Sequence, residues 1–249
     1  MSNGSKNLKK ANLKNANLES ADLSGVNLKG AYLSGVNLKG ADLSDANLRY
    51  AILTDANLTR ANLKRTNLTF ANLKRANLKR ADLTCADLTC ANFENAILRN
   101  AILTGANLYR VNLTTGVNLT RINLSFVNLT GMNLEGVDLT GADLTGADLS
   151  VAILTGLNLT GANLTDSRLY NANLTDANLT HVNLTDANLT FANLKGANLT
   201  GAILTNADLT DAILRNATLT GANLYRENLT AGVNLTRADL TDAIYIMQI

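Results

Sequence analysis

The chain of 249 residues has no proline, no tryptophan, one histidine and two cysteines, and only 4% of it is aromatic. Without proline there is no stiff linker to set domains apart. His181 stands far along the chain from Cys85 and Cys90, so these residues do not make a zinc site. The two thiols are expected to stay free in a reducing compartment. No apolar run approaches the ~18 residues of a membrane span, so no membrane partner is expected. Met1–Lys10 is polar and basic, without the apolar core of a secretory signal, so a cytoplasmic location is expected. Material for catalysis is equally scarce. Carboxylates such as Asp138, Asp143 and Asp148 recur at one repeat position, with no paired base or nucleophile. The expectation is therefore no enzyme, no catalytic residue, no metal and no cofactor.

What the chain has in abundance is leucine at every fifth place, from Leu8 to Leu240, with Phe93 as the one substitute. The unit is A-(N/D)-L-x-x, as in Ala11-Asn12-Leu13-Lys14-Asn15 and Ala16-Asn17-Leu18-Glu19-Ser20. A period of five fits neither a helix nor a long alternating strand. Alternation does hold inside one unit, so Ala and Leu share an inward side while the second and fourth residues face out. The fifth residue breaks the alternation, and the chain must turn there. Fourteen of the 17 glycines stand at that fifth place, and Asp or Asn fills many of the others. These residue types tolerate positive φ or bond to their own backbone. Strand and corner repeated four times close a coil of about 20 residues, stacked on its neighbours as parallel strands roughly 4.8 Å apart. The residues thus predict an all-β, quadrilateral parallel β-helix (a β-solenoid) with four pentapeptides per coil.

This pattern resembles the pentapeptide-repeat family, whose consensus is A-(D/N)-L-x-x. The resemblance covers residues 6–247 and implies a right-handed quadrilateral β-helix. It departs from the gyrase-protecting members in that its centres are nearly all Leu, where those members often have Phe. The family's frequent dimerisation through C-terminal ends implies a homodimer here.

Residues 1–10 read as a lead-in, 11–242 as one solenoid of about 12 coils, and 243–249 as an apolar end strand. Gly116 and Gly232 each add one residue to the count of fives. Residues 96–124 and 212–240 match closely, which reads as a duplication that copied the inserted glycine. Beside the second insertion Glu227 falls at an inward place, where a bare carboxylate is costly; rotation outward or pairing with Arg226 is expected.

Charge is uneven. Residues 1–125 hold 17 Lys/Arg and 8 Asp/Glu, a balance of +9, whereas residues 126–249 hold 5 and 12, a balance of −7. The densest basic stretch, read as an interaction patch, is Arg49, Arg60, Lys64, Arg65, Lys74, Arg75, Lys79 and Arg80. Tyr50 and Phe70 fall in one column beside it and would add stacking. At 20 residues per coil Arg60 lies beneath Arg80. The last apolar stretch offers Ile244, Tyr245, Ile246, Met247 and Ile249 as a self-association strand, giving a homodimer or end-on assembly. Long threonine columns, such as Thr140, Thr160, Thr180, Thr200 and Thr220, follow from the register.

The reading that follows is a non-enzymatic bacterial scaffold that binds a protein through regular faces. One alternative is a DNA mimic acting on a type II topoisomerase (gyrase), which would want acidity along the whole tube. Two others are nucleic-acid binding through the basic half and ice binding through the threonine columns.

Overall fold

The computed structural model describes residues 7–113, 116–225 and 232–244. Arg226, Glu227, Tyr245, Ile246, Met247 and Ile249 lie outside the described residues. The chain divides into two compact units, Met1–Asn123 and Leu124–Ile249.

In the first unit, as far as Asn92, the second residue of each pentapeptide bridges, in parallel, to the residue 20 places on: Asn12↔Tyr32, Tyr32↔Ile52, Ile52↔Asn72 and Asn72↔Asn92. Four pentapeptides therefore complete one coil. Its four sides are distinguished here by their centres. The first runs through Leu13, Leu33, Leu53 and Leu73, the second through Leu18, Leu38, Leu58 and Leu78. The third runs through Leu23 and Leu43, and the fourth through Leu8, Leu28 and Leu48.

The backbone explains the consensus. Leu13 N–H donates to Tyr32 O at 2.8 Å, Tyr32 N–H to Ala11 O at 2.9 Å, and Asn15 N–H to Ser34 O at 2.9 Å, all between coils. Ala16 N–H closes the corner on Leu13 O at 3.2 Å. That leaves one donor per unit, the N–H of the fourth residue. The second residue's side chain takes it: Lys14 N–H donates to Asn12 Oδ1 at 3.3 Å, and Ser44 N–H to Asp42 Oδ1 at 2.9 Å. All five N–H groups are thus accounted for, which is the requirement that selects Asn or Asp at the second place.

The fifth residue sits at positive φ throughout, 58° at Asp45 and 60° at Arg60, as a turn between sides demands. Val151, at φ 60°, is the β-branched exception. Inside, the alanines and leucines from Val26 to Leu224 are buried almost without exception, and Phe93 is buried among them.

The second unit repeats this plan: Asn128↔Asp148, Asp148↔Arg168 and Arg168↔Asn188 bridge at the same offset of 20. Two irregularities interrupt it. In the first unit the offset is still 20 at Asn92↔Asn112 but is 21 at Ile97↔Asn118. Gly116 itself takes the corner, at φ 62°, over Asn95. The register thus shifts by one between Asn112 and Gly116. A Cβ on Gly116 would stand 2.0 Å from Asn95 Oδ1. Gly232 has the same relation to Asp211 in the second unit, with Oδ1 at 1.9 Å.

Candidate basic and acidic corner columns

The structure spreads the eight basic residues of the sequence-predicted patch over all four sides of the first unit. Lys74 and Arg75 end a first-side pentapeptide, Lys64 and Arg65 a third-side one, and Arg49 lies on the fourth side. Only Arg60, Lys79 and Arg80 come together. Arg60 N–H donates to Lys79 O at 3.0 Å, and Arg80 N–H to Arg99 O at 3.1 Å, so these residues occupy adjacent rungs at the end of the second side. The next rung follows through Asn100 N–H to Thr120 O, at 3.2 Å, and brings Arg121 to the same corner. Arg99 and Arg121 were missed by reading charge density along the chain. The 20-residue register could have found Arg99; Arg121 needs the shift to 21.

Four of the eight cations are already neutralised between coils. Arg65 bonds Asp45 through two nitrogens at 2.7 and 2.6 Å, and Arg75 bonds Asp55 in the same way at 2.7 and 2.6 Å. Lys64 meets Asp82 at 3.2 Å, and Lys74 meets Glu94 at 2.8 Å. The hydrogen bonds from Arg65 and Arg75 hold the Asp45 and Asp55 carboxyls below the usual carboxylate range. By contrast Arg60, Lys79, Arg80, Arg99 and Arg121 are exposed, and none has a carboxylate partner among the described residues.

Tyr50 and Phe70 do share a column and stack, with ring centroids 5.2 Å apart. They end the fourth side, ten residues or half a coil from Arg60, so they face away from the free cations. Their partner is Arg49, whose guanidinium lies 4.8 Å from the Tyr50 ring and bonds its hydroxyl at 3.1 Å.

In the second unit the corner column Phe126, Gly146, Asp166, Asp186 and Asn206 is set by Phe126 N–H to Thr145 O and Gly146 N–H to Thr165 O. Asp166 N–H to Thr185 O and Asp186 N–H to Thr205 O continue it. Phe126 is 67% exposed. Its ring lies over Gly146, where a Cβ would come within 2.6 Å of Phe126 Cε1. Phe126, Gly146, Asp148, Asp166 and Arg168 line a shallow, open depression of about 520 Å³. Arg168 turns to Asp148 at 3.8 Å, while Asn206 donates to Asp186 Oδ1 at 3.1 Å.

The predicted threonine columns exist within the second unit, but their hydroxyls are engaged. Thr165 Oγ1 donates to Asn163 Oδ1 at 2.7 Å and accepts from Asn183 Nδ2 at 3.0 Å. Of the self-association strand, Ile244 is described and is 59% exposed. Cys85 and Cys90 are free thiols. No group of three or more His, Cys, Asp or Glu suited to a metal occurs among the described residues. No helix among them is long and apolar enough to cross a membrane.

Several comparisons bear on what the chain is. The family model described as "Pentapeptide repeats" matches it over residues 7–40, 41–80, 76–114, 118–156, 152–190 and 192–230. Among solved structures, the chain is similar to HetL, a pentapeptide repeat protein involved in heterocyst differentiation regulation from the cyanobacterium Nostoc sp. strain PCC 7120. The identity is 32% over 95% of this chain and 90% of HetL, with a TM-score of 0.41. It is also similar to Rfr23, a pentapeptide repeat protein from the cyanobacterium Cyanothece 51142, at 31% identity over 51% of this chain and 86% of Rfr23, with a TM-score of 0.22. Trypsin-treated QnrB1, a plasmid-mediated fluoroquinolone resistance protein, matches at 18% identity over 92% of this chain and 86% of QnrB1, with a TM-score of 0.31. No curated protein sequence matches the chain. The repeat, its 20-residue register and the family match over most of the sequence make this chain a member of the pentapeptide-repeat family.

Proposed function

We propose that the protein is a non-enzymatic, cytoplasmic bacterial scaffold, wound with the right-handed sense of its family, that docks an acidic protein partner. The docking surface is the column formed by Arg60, Lys79, Arg80, Arg99 and Arg121. One observation carries this: these five cations are exposed and face no carboxylate among the described residues, whereas Lys64, Arg65, Lys74 and Arg75 are each held by an acid one coil away. Like charges stacked one rung apart repel and are a cost to the fold unless an anion shares them.

The topoisomerase-mimic reading is less well supported. It requires a continuous run of acids, and the carboxylates of the second unit are distributed over several sides. Ice binding is less well supported as well, since Thr165 and its equivalents already spend their hydroxyls on Asn and Asp.

The test is a binding titration of a poly-glutamate chain and of a short DNA duplex at two salt concentrations. Arg60→Ser/Lys79→Ser/Arg80→Ser should weaken poly-glutamate binding at least tenfold. Lys64→Ser/Arg65→Ser/Lys74→Ser/Arg75→Ser should weaken it much less. Equal losses from both variants would sink the assignment. Tighter binding of the duplex than of poly-glutamate would replace it with the nucleic-acid reading.

A further inference from the structure

We infer that the acidic partner of the basic corner is a second copy of this chain, docked through its Phe126–Asp166–Asp186 corner. This rests on the docking role proposed above for the basic column and names its partner.

The first argument is pitch. Both corners are built on the same 20-residue coil, so Arg60 and Arg80 stand one rung apart, as do Asp166 and Asp186. Two ladders of equal spacing, about 4.8 Å per rung, stay matched over their whole length. The second argument is order. Laid in opposite directions, the columns pair rung for rung. Arg60 meets Asp186 and Arg80 meets Asp166. Asn100 and Arg121 then meet the Gly146 and Phe126 rungs, where the exposed Phe126 ring lies. Carboxylate and aromatic face are the two surfaces that hold a guanidinium, by charge-assisted hydrogen bonds and by cation–π attraction. The bare Gly146 keeps that end of the column low enough to admit the ring and an approaching side chain. The third argument is field. The first unit carries a balance of +9 and the second −7, so the basic corner of one copy is steered to the acidic unit of another.

Among the described residues lining the depression the cation is Arg168, and it leans on Asp148 rather than on Asp166.

The experiment is sedimentation velocity on the whole chain, at low and high salt, with two charge-reversed variants. Arg60→Asp/Arg80→Asp removes the basic corner, and Asp166→Arg/Asp186→Arg removes the acidic one. Asp45, Asp55, Arg65 and Arg75 already occupy equivalent corners at positive φ, so these exchanges suit the backbone. The unmodified chain is expected to associate at low salt and separate at high salt. Each variant alone should associate at least tenfold more weakly. An equimolar mixture of the two should recover a two-chain complex, which also shows that both variants are folded. Association that survives both reversals would overturn the inference and turn attention to Ile244. An unmodified chain that stays single at low salt yet binds poly-glutamate through Arg60, Lys79 and Arg80 would overturn the inference and leave the docking role standing. Failure of both measurements would remove both.

Discussion

The two units share a backbone and a core, and differ in what their coils say to one another on the outside. In the first unit adjacent coils are laced by ions: Lys39 to Glu19, Arg65 to Asp45, Arg75 to Asp55, Lys74 to Glu94. In the second, neutral groups carry much of the lacing, as in Asn163 to Thr145, Asn173 to Thr155 and Asn183 to Thr165, beside a long Arg168–Asp148 pair and amide links to Asp138 and Asp186. Exposed ion pairs are screened by solvent, and part-buried amide–hydroxyl bonds replace bonds to water, so each contributes little net stability. Neither lacing decides the fold, so the outer positions were free to diverge in charge. What varies less is the small or apolar inward pair, and the Asn or Asp that caps the fourth N–H in most units, although Tyr32, Ile52 and Arg168 take that second place without supplying the cap.

The largest test of that division is a core truncation in each unit. Leu63→Ala and Leu164→Ala should each cost about 3 kcal/mol in denaturant unfolding, because both side chains are completely buried. Losses that differ widely between the units would mean that the outer lacing, not the core, sets local stability.

Removing the cap comes next. Asn62→Ala takes the acceptor from Lys64 N–H, and Asn163→Ala takes it from Thr165 N–H. Each should cost about 1 kcal/mol, the usual penalty for a lost cap. If only Asn163→Ala is costly, the Thr lattice rather than the cap is what matters.

A third test reverses sign between the units. Thr66 and Ser167 both occupy the inward Ala place. Thr66 Oγ1 donates to Leu43 O at 2.8 Å, while Ser167 Oγ is buried and finds no partner among the described residues. Ser167→Ala should raise stability by about 1 kcal/mol, and Thr66→Ala should lower it by a similar amount. Thermal midpoints of the two variants would check this; two shifts of the same sign would contradict it.

The smallest effect concerns acid. Asp45 and Asp55 titrate below an ordinary aspartate, through their bonds to Arg65 and Arg75. A depressed carboxyl stabilises the fold above its unfolded value, about 3.9, and loses that contribution as pH falls through the folded value. Both pairs are exposed, so stability should change little. Carboxyl NMR titration should instead show the Asp45 midpoint rising in Arg65→Gln while that of Asp55 stays where it was.

The period of five, read in the sequence, yielded the coil, the inward Ala and Leu, and the stacking of Arg60 under Arg80. It did not yield the purpose of the second residue. Asn12 looked merely outward-facing until its side chain was seen holding Lys14 N–H. Nor did density along the chain reveal which charges are free, since Lys64 is neutralised by Asp82, 18 residues away. The acidic corner stayed hidden because Phe126, Asp166 and Asp186 are separated by tens of residues and lack any local motif.

One consequence of the bridging pattern concerns how the chain reaches its structure. Among the described residues, almost every backbone bond outside the corner turns joins residues about 20 apart, and none ties distant coils together. Each added coil closes a loop of the same length and meets the same surface as the one before it. Within each unit, folding then resembles the growth of a crystal face. A first pair of coils is costly, and every later coil is laid down on a finished template at a nearly constant step in free energy.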